Sequence, residues 1–287
     1  MKNPEEIIVC TNDSLHSRAA IAWAAHRSMD TGHPLAIVHV VDDRWMAEPY
    51  PWLGVLREMG EDMLTAAVQQ AKDAEPSVSV RSALLEGSIA GSLRKVSEQA
   101  SMVVLGSGSN EFPRFQRALQ VAAAAVCPVA VINGADDVAN RRGIVVGVDG
   151  SEQSVQAVGF AAAEADRTEQ ELTVVYALSR ADRWIEARLP QSSMAAIVND
   201  EERIVLAESV AGLSQDFPDL KIHRRLVTDL DPAAALADAA ASAALLVVGS
   251  RGRGGFRHLL LGSTAHGVLG EVRCPTLITR TYREDRG

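Results

Sequence analysis

The chain has 287 residues, 47% hydrophobic and 23% charged, with 37 acidic against 28 basic side chains and a formal net charge of −9. That length favours two domains of about 140 residues each, and the composition excludes disordered, collagen-like and disulfide-scaffold classes. The acidic balance gives no global field for nucleic acid or an anionic membrane surface, so any anionic ligand has to be held locally.

The N-terminal segment MKNPEEIIVCTND has no basic-then-apolar pattern, and no apolar run reaches the roughly 18 residues of a membrane span. A soluble, cytoplasmic protein is expected. The first strand is IIVC (7–10), followed by an alanine-rich helix, SRAAIAWAAHRSMD (17–30), and a second strand, LAIVHVV (35–41). The irregular segment 42–54, with Pro49 and Pro51 among aromatics, reads either as an ordinary packed loop or as a cap over a sheet edge or partner surface. The runs MVVLG (102–106) and VAVI (129–132) follow, and then a polar stretch, NGADDVANRR (133–142), marks a boundary near Asn140. The expected domains are 1–139 and 140–287.

The second half repeats the first. IVVGVDGS (144–151) aligns with IIVCTNDS (7–14) at a shift of 137, and the same shift aligns LTVVYAL (172–178) with LAIVHVV. Later, VVGSRG (247–252) follows VVLGSGS (103–109), and RCPTLIT (273–279) follows VCPVAVI (126–132). Short continuous apolar runs alternating with helical stretches such as 151–167 are the mark of parallel strands buried on both faces. The fold class is therefore α/β: two tandem open doubly wound parallel five-stranded sheets with helices on both faces. In such sheets ligands sit beyond the carboxyl ends of the strands where strand order switches, here just after the first and fourth strands. Cys10, Cys127 and Cys274 are widely spaced, with no C-x-x-C, and are expected to be plain buried thiols.

Straight after the strand LLVVG (245–249), the segment GSRGRGGFRHLLLGST (249–264) has the spacing G-x-x-G-x9-G-S through Gly249, Gly252, Gly262 and Ser263. Glycines at a strand end let backbone N–H groups approach a polyphosphate. The Gly262-Ser263-Thr264 run opens a helix whose unpaired N–H groups and dipole suit phosphate oxygens. Arg251, Arg253 and Arg257 add positive charge. No G-x-x-x-x-G-K-[ST] occurs, and the first strand is followed by GVDGS (147–151) rather than the dinucleotide fingerprint. Asp149 at the switch point suits ribose hydroxyls or Mg²⁺ as a ligand, or else caps the next helix with Gly150 and Ser151.

With this loop, the run VGVDGS and the repeat across nearly the whole chain, both halves resemble universal stress protein domains, a fold of the adenine-nucleotide alpha-hydrolase-like type. The resemblance implies that the C-terminal half binds ATP, with Asp149 contacting the nucleotide or its Mg²⁺ and Tyr176, Ala177 and Leu178 passing the adenine by their backbone. It also implies a homodimer, or an intramolecular pairing of the two halves, through the final strands 128–132 or 275–279. The first half departs from the pattern: Asn12 stands at the Asp149 position, Ser109 at the second glycine, Pro113 lies nearby, no Gly-Ser opens the last helix, and the loop is four residues shorter. No ATP is expected there. The expected function is an ATP-binding stress-response or regulatory protein, with a client protein as a candidate partner; a slow Mg²⁺-dependent ATP hydrolase with His258 or His266, or a nucleotide-free interaction module, are the alternatives.

Overall fold

The computed structural model of the chain describes residues 6–42, 52–107, 114–133, 140–178, 194–253, 261–271 and 274–280. The chain divides into two compact units between Asp136 and Asp137.

The first unit runs β1 (Glu6–Cys10), α1 (Leu15–Thr31), β2 (Leu35–Val41), α2 (Leu53–Ala74), β3 (Val80–Glu86), α3 (Ile89–Ser97), β4 (Ala100–Ser107), α4 (Arg114–Ala124) and β5 (Val129–Asn133). Its strands lie in the order β3-β2-β1-β4-β5, all parallel. The second unit runs β6 (Ile144–Val148), α5 (Glu152–Arg167), β7 (Leu172–Ala177), α6 (Met194–Glu208), the single turn α7 (Leu213–Asp216), β8 (Ile222–Val227), α8 (Pro232–Ala239), β9 (Leu245–Gly249), α9 (Ser263–Glu271) and β10 (Thr276–Thr279). Its parallel order is β8-β7-β6-β9-β10. In each unit the chain winds outward over two crossovers, returns past the first strand and winds outward again. Right-handed crossovers therefore put the first two helices on one face and the last two on the other; in the first unit α1 packs on α2 and α3 on α4.

The central strands are almost wholly buried, with Val9, Val103, Val104, Val146 and Val247 fully shielded from solvent, as strands covered on both faces must be. Four apolar runs per half mark strands in the sequence; the fifth is β3 in one unit and β8 in the other. Both are edge strands whose residues are mainly half-buried or exposed, so polar residues interrupt their apolar pattern.

Local chemistry starts the crossover helices. Ser14 and Ser151 each accept a hydrogen bond from the backbone N–H three residues on, that of Ser17 and Ser154, and Asp231 does the same for Ala234 with Pro232 in the first turn. These are N-cap arrangements worth about 1 kcal/mol each. Among the described residues no helix is long and apolar enough to cross a membrane.

None of the three cysteines is in a disulfide. Burial pushes the Cys10 thiol up to about 12 and the Cys274 thiol to about 11, the latter partly opposed by Arg141. Iodoacetamide at neutral pH is expected to leave both unmodified in the native protein and to label both after denaturation, because the thiolate is the reactive form. Unfolded thiols lose their protons near pH 9 while the folded ones keep theirs. The stability these groups contribute is thus complete below pH 9 and is lost as pH rises toward 11 to 12; urea titrations at a series of alkaline pH values check this.

Candidate functional site

The end of β6 turns sharply. Asp149 Oδ1 accepts the N–H of Ser151 at 3.0 Å, and Gly150 between them has φ +75°, a conformation glycine adopts without strain. Ser151 Oγ then accepts the Ser154 N–H at 3.2 Å, and Ser154 Oγ donates back to the Ser151 carbonyl at 2.9 Å. The turn therefore launches α5, and the capping reading of Asp149, Gly150 and Ser151 is visible in these bonds.

The second oxygen of Asp149 has a different partner. Asp149 Oδ2 accepts the backbone N–H of Arg253 at 2.7 Å, across from the neighbouring strand end. The carboxylate thus ties the glycine loop after β9 to the turn after β6. The adjacent Gly252 packs so closely that a Cβ there would stand 2.1 Å from Asp149 Oδ2.

The two ends of the glycine loop are also joined. Gly262 donates its N–H to the Ser250 carbonyl at 2.8 Å, and Ser250 donates to the Thr279 carbonyl at 3.1 Å. A Cβ on Gly262 would lie 3.4 Å from Arg251 Cα, so the second glycine turn rests against the first. Directly after it, α9 begins at Ser263 and runs for nine residues, leaving its first N–H groups without helical partners.

A cavity of about 850 Å³ lies at these strand ends within the second unit. Of the residues expected from the sequence, Asp149, Tyr176, Ala177, Gly249, Arg251, Gly252, Arg253, Gly262, Ser263 and Thr264 line it. Leu178 does not: its side chain is buried and its N–H is committed to the Val227 carbonyl at 3.0 Å. Arg251 and Arg253 are exposed, and the Arg253 guanidinium lies beside Gly150. His266 sits on the exposed side of α9 and is not among the lining residues. Arg257, His258, Ser109 and Pro113 lie outside the described residues, as does most of segment 42–54.

Several lining residues had no place in the sequence motif: Glu202 from α6, Asp231, Pro232, Ala233 and Leu236 from α8, and Gly267 and Glu271 from α9. The Asp-Pro pair opening α8 is a recognisable helix start after a strand; Glu202, inside the charged run NDEER (199–203), carries no such signal. Two glycines let the walls close up. A Cβ on Gly147 would stand 2.8 Å from Leu236 Cδ1, and one on Gly267 would stand 2.7 Å from Ala233 Cβ. Chemically, the cavity offers a glycine turn, a helix N-terminus and two cationic side chains at one end, and an aromatic and aliphatic strand wall at the other. Among the described residues no group of three or more His, Cys, Asp or Glu could hold a metal ion by itself, so a cation here would rely on Asp149 together with oxygens of a ligand.

The first unit keeps the turn. Asn12 Oδ1 accepts the Ser14 N–H at 3.3 Å and its hydroxyl at 2.7 Å. Asp13 takes the Gly150 position with φ +56° and pairs with Arg18 at 2.8 Å. Gly106, the counterpart of Gly249, is confined more tightly still, since a Cβ there would stand 2.2 Å from the His16 carbonyl oxygen.

The model of the Universal stress protein family matches the chain twice, over residues 4–133 and 140–280. Universal stress protein Rv2005c of Mycobacterium tuberculosis (strain ATCC 25618 / H37Rv) is 36% identical over 290 residues, covering 96% of each chain. Universal stress protein Rv2623 of the same organism is 32% identical over 294 residues with the same coverage. A solved universal stress protein from Archaeoglobus fulgidus DSM 4304 superposes with a TM-score of 0.70 at 18% identity, covering 96% of each chain, which speaks for the fold.

Proposed function

This chain belongs to the universal stress protein family, with the stress-response role that membership carries, and from that premise we propose that its C-terminal unit is an ATP-binding regulatory domain. The observation that supports this reading most is the convergence on one cavity of the Gly249–Gly252 turn, the Gly262-Ser263 helix start and the Asp149 turn. The triphosphate is held by the backbone N–H groups of the two glycine turns, by Ser263 and Thr264 at the start of α9, and by Arg251 and Arg253. Tyr176 and Ala177 flank the base.

Mg²⁺, when bound with the nucleotide, screens the phosphate charge; it is commonly held by one or two carboxylates plus phosphate oxygens. Asp149 fits that role, because each of its oxygens accepts one N–H and a carboxylate offers about four acceptor positions. Nucleotide bridging the two glycine turns orders the loop, and loop order sets the association with a partner, whether a second copy, the other domain or a client.

The test is denaturation of purified protein followed by mass spectrometry of released small molecules, with calorimetry of added ATP. ATP is the expected ligand, and Asp149→Ala is expected to weaken it at least about tenfold by removing the tie to Arg253. No released nucleotide together with no heat on adding ATP overturns the reading.

A further inference from the structure

Among the groups lining the cavity, Glu202 stands apart. Its Oε2 is shielded from solvent and has no hydrogen-bond partner among the described residues, although the residue lines a cavity rich in polar groups. A shielded carboxylate oxygen left unpaired is unfavourable, and native structures rarely retain one without a use. The other carboxylate of the strand-end turn is engaged: Asp149 accepts the Ser151 N–H on one oxygen and the Arg253 N–H on the other.

The position of Glu202 follows from its helix. Three residues further along α6, the Val205 side chain reaches to 2.7 Å from where a Cβ on Gly150 would stand. Residues three apart share a helix face, so Glu202 faces the cavity from the same side as Val205, near the turn formed by Asp149, Gly150 and Ser151. That turn lies between the Tyr176–Ala177 wall and the phosphate cradle, where the sugar of a nucleotide would be.

We infer that Glu202 is the sugar-reading residue of this cavity, accepting hydrogen bonds from the vicinal 2′- and 3′-hydroxyls of a ribonucleotide. The inference rests on the ATP-binding reading above. The chemistry selects the sugar over the other two parts of the ligand. Phosphates carry negative charge and no donors, so a carboxylate repels them. Adenine presents one amino group among three ring-nitrogen acceptors, which matches a carboxylate poorly. A vicinal diol presents two O–H donors, the pairing used for ribose by acidic residues in other doubly wound sheets. A site built to hydrogen-bond a hydroxyl discriminates against the analogue lacking it, because the buried acceptor is then left unpaired.

The test is titration calorimetry of the full chain with ATP, 2′-deoxy-ATP and 3′-deoxy-ATP, for wild type, Glu202→Gln and Glu202→Ala, each with and without Mg²⁺. Wild type is expected to prefer ATP over at least one deoxy analogue by about tenfold or more. In Glu202→Ala that preference is expected to shrink below about threefold, with Glu202→Gln intermediate because its amide oxygen still accepts. Removing the charge also lessens the repulsion of all three triphosphates by a common factor, so the ratio, and not the affinity, is the readout. Unchanged ratios in both variants overturn the inference while leaving ATP binding standing. Loss of Mg²⁺ dependence without change in the ratios overturns it as well, making Glu202 a cation ligand. Absence of ATP binding to the wild type overturns the inference and the ATP reading together.

Discussion

Gly252→Ala is expected to lower ATP affinity by about tenfold to a hundredfold while leaving thermal stability nearly unchanged. The new Cβ would stand 2.1 Å from Asp149 Oδ2, far inside van der Waals contact, so the carboxylate or the loop has to move. Either movement lengthens the 2.7 Å bond from the Arg253 N–H. A hydrogen bond to a charged acceptor contributes about 1.5 to 3 kcal/mol, and each 1.4 kcal/mol or so is tenfold in affinity. The loss appears in binding because the loop that would hold phosphate is the part displaced. The surroundings are exposed at Arg251 and Arg253, so little core packing is disturbed. Gly262→Ala is the graded comparison: its Cβ would meet Arg251 Cα at 3.4 Å and the Ser250 carbonyl oxygen at 3.5 Å, ordinary contacts that predict a smaller loss. Calorimetry on both variants decides; equal affinity of Gly252→Ala and wild type would show that the tie between loop and turn plays no part in binding.

The second large effect is on stability and belongs to the other unit. Gly106→Ala is expected to destabilise the N-terminal unit by about 3 kcal/mol or more without altering ATP affinity. A Cβ at this strand end would stand 2.2 Å from the His16 carbonyl oxygen, 2.3 Å from its carbon and 2.5 Å from the Ser17 nitrogen. All three are backbone atoms in the first turn of α1, so no rotamer change relieves the clash and the helix has to shift on the sheet. Urea unfolding followed by a probe in the first unit should move to lower denaturant, and a midpoint equal to wild type would refute the close packing. Its counterpart Gly249 meets the Gln153 backbone carbon only at 3.2 Å, so Gly249→Ala should be milder. The glycine at the end of the fourth strand is thus required in the first unit for packing.

That difference explains how far the sequence could be read. Glycines in the second loop are visible because backbone approach and tight turns exclude other residues, and the repeat shows up because the buried parallel strands allow little but aliphatic side chains. The edge strands β3 and β8 are hidden because solvent on part of their surface admits residues such as Arg81, Ser82, Arg224 and Arg225 into the apolar pattern. Glycine spacing alone cannot tell how closely a neighbouring helix approaches: Gly106 and Gly249 look alike in sequence, both face the helix that follows the first strand of their unit, and they differ by about 1 Å in clearance. Asp149 read as either ligand or cap; in the fold its two oxygens serve the cap turn and the loop separately. Glu202 was not legible, since which face of α6 turns inward is decided by tertiary packing, and its neighbours in sequence are nearly all charged.

The turn shared by Asn12 and Asp149 has a consequence for how such a chain can vary over generations. In both units the side-chain oxygen accepts the N–H two residues on, a task that amide and carboxylate perform comparably well at a helix start. Asparagine and aspartate codons differ by one base. A single nucleotide substitution can therefore add or remove a full charge at the mouth of the sheet while the helix beneath it keeps its start. Lineages can explore charged and neutral versions of this turn without passing through a poorly folded ancestor.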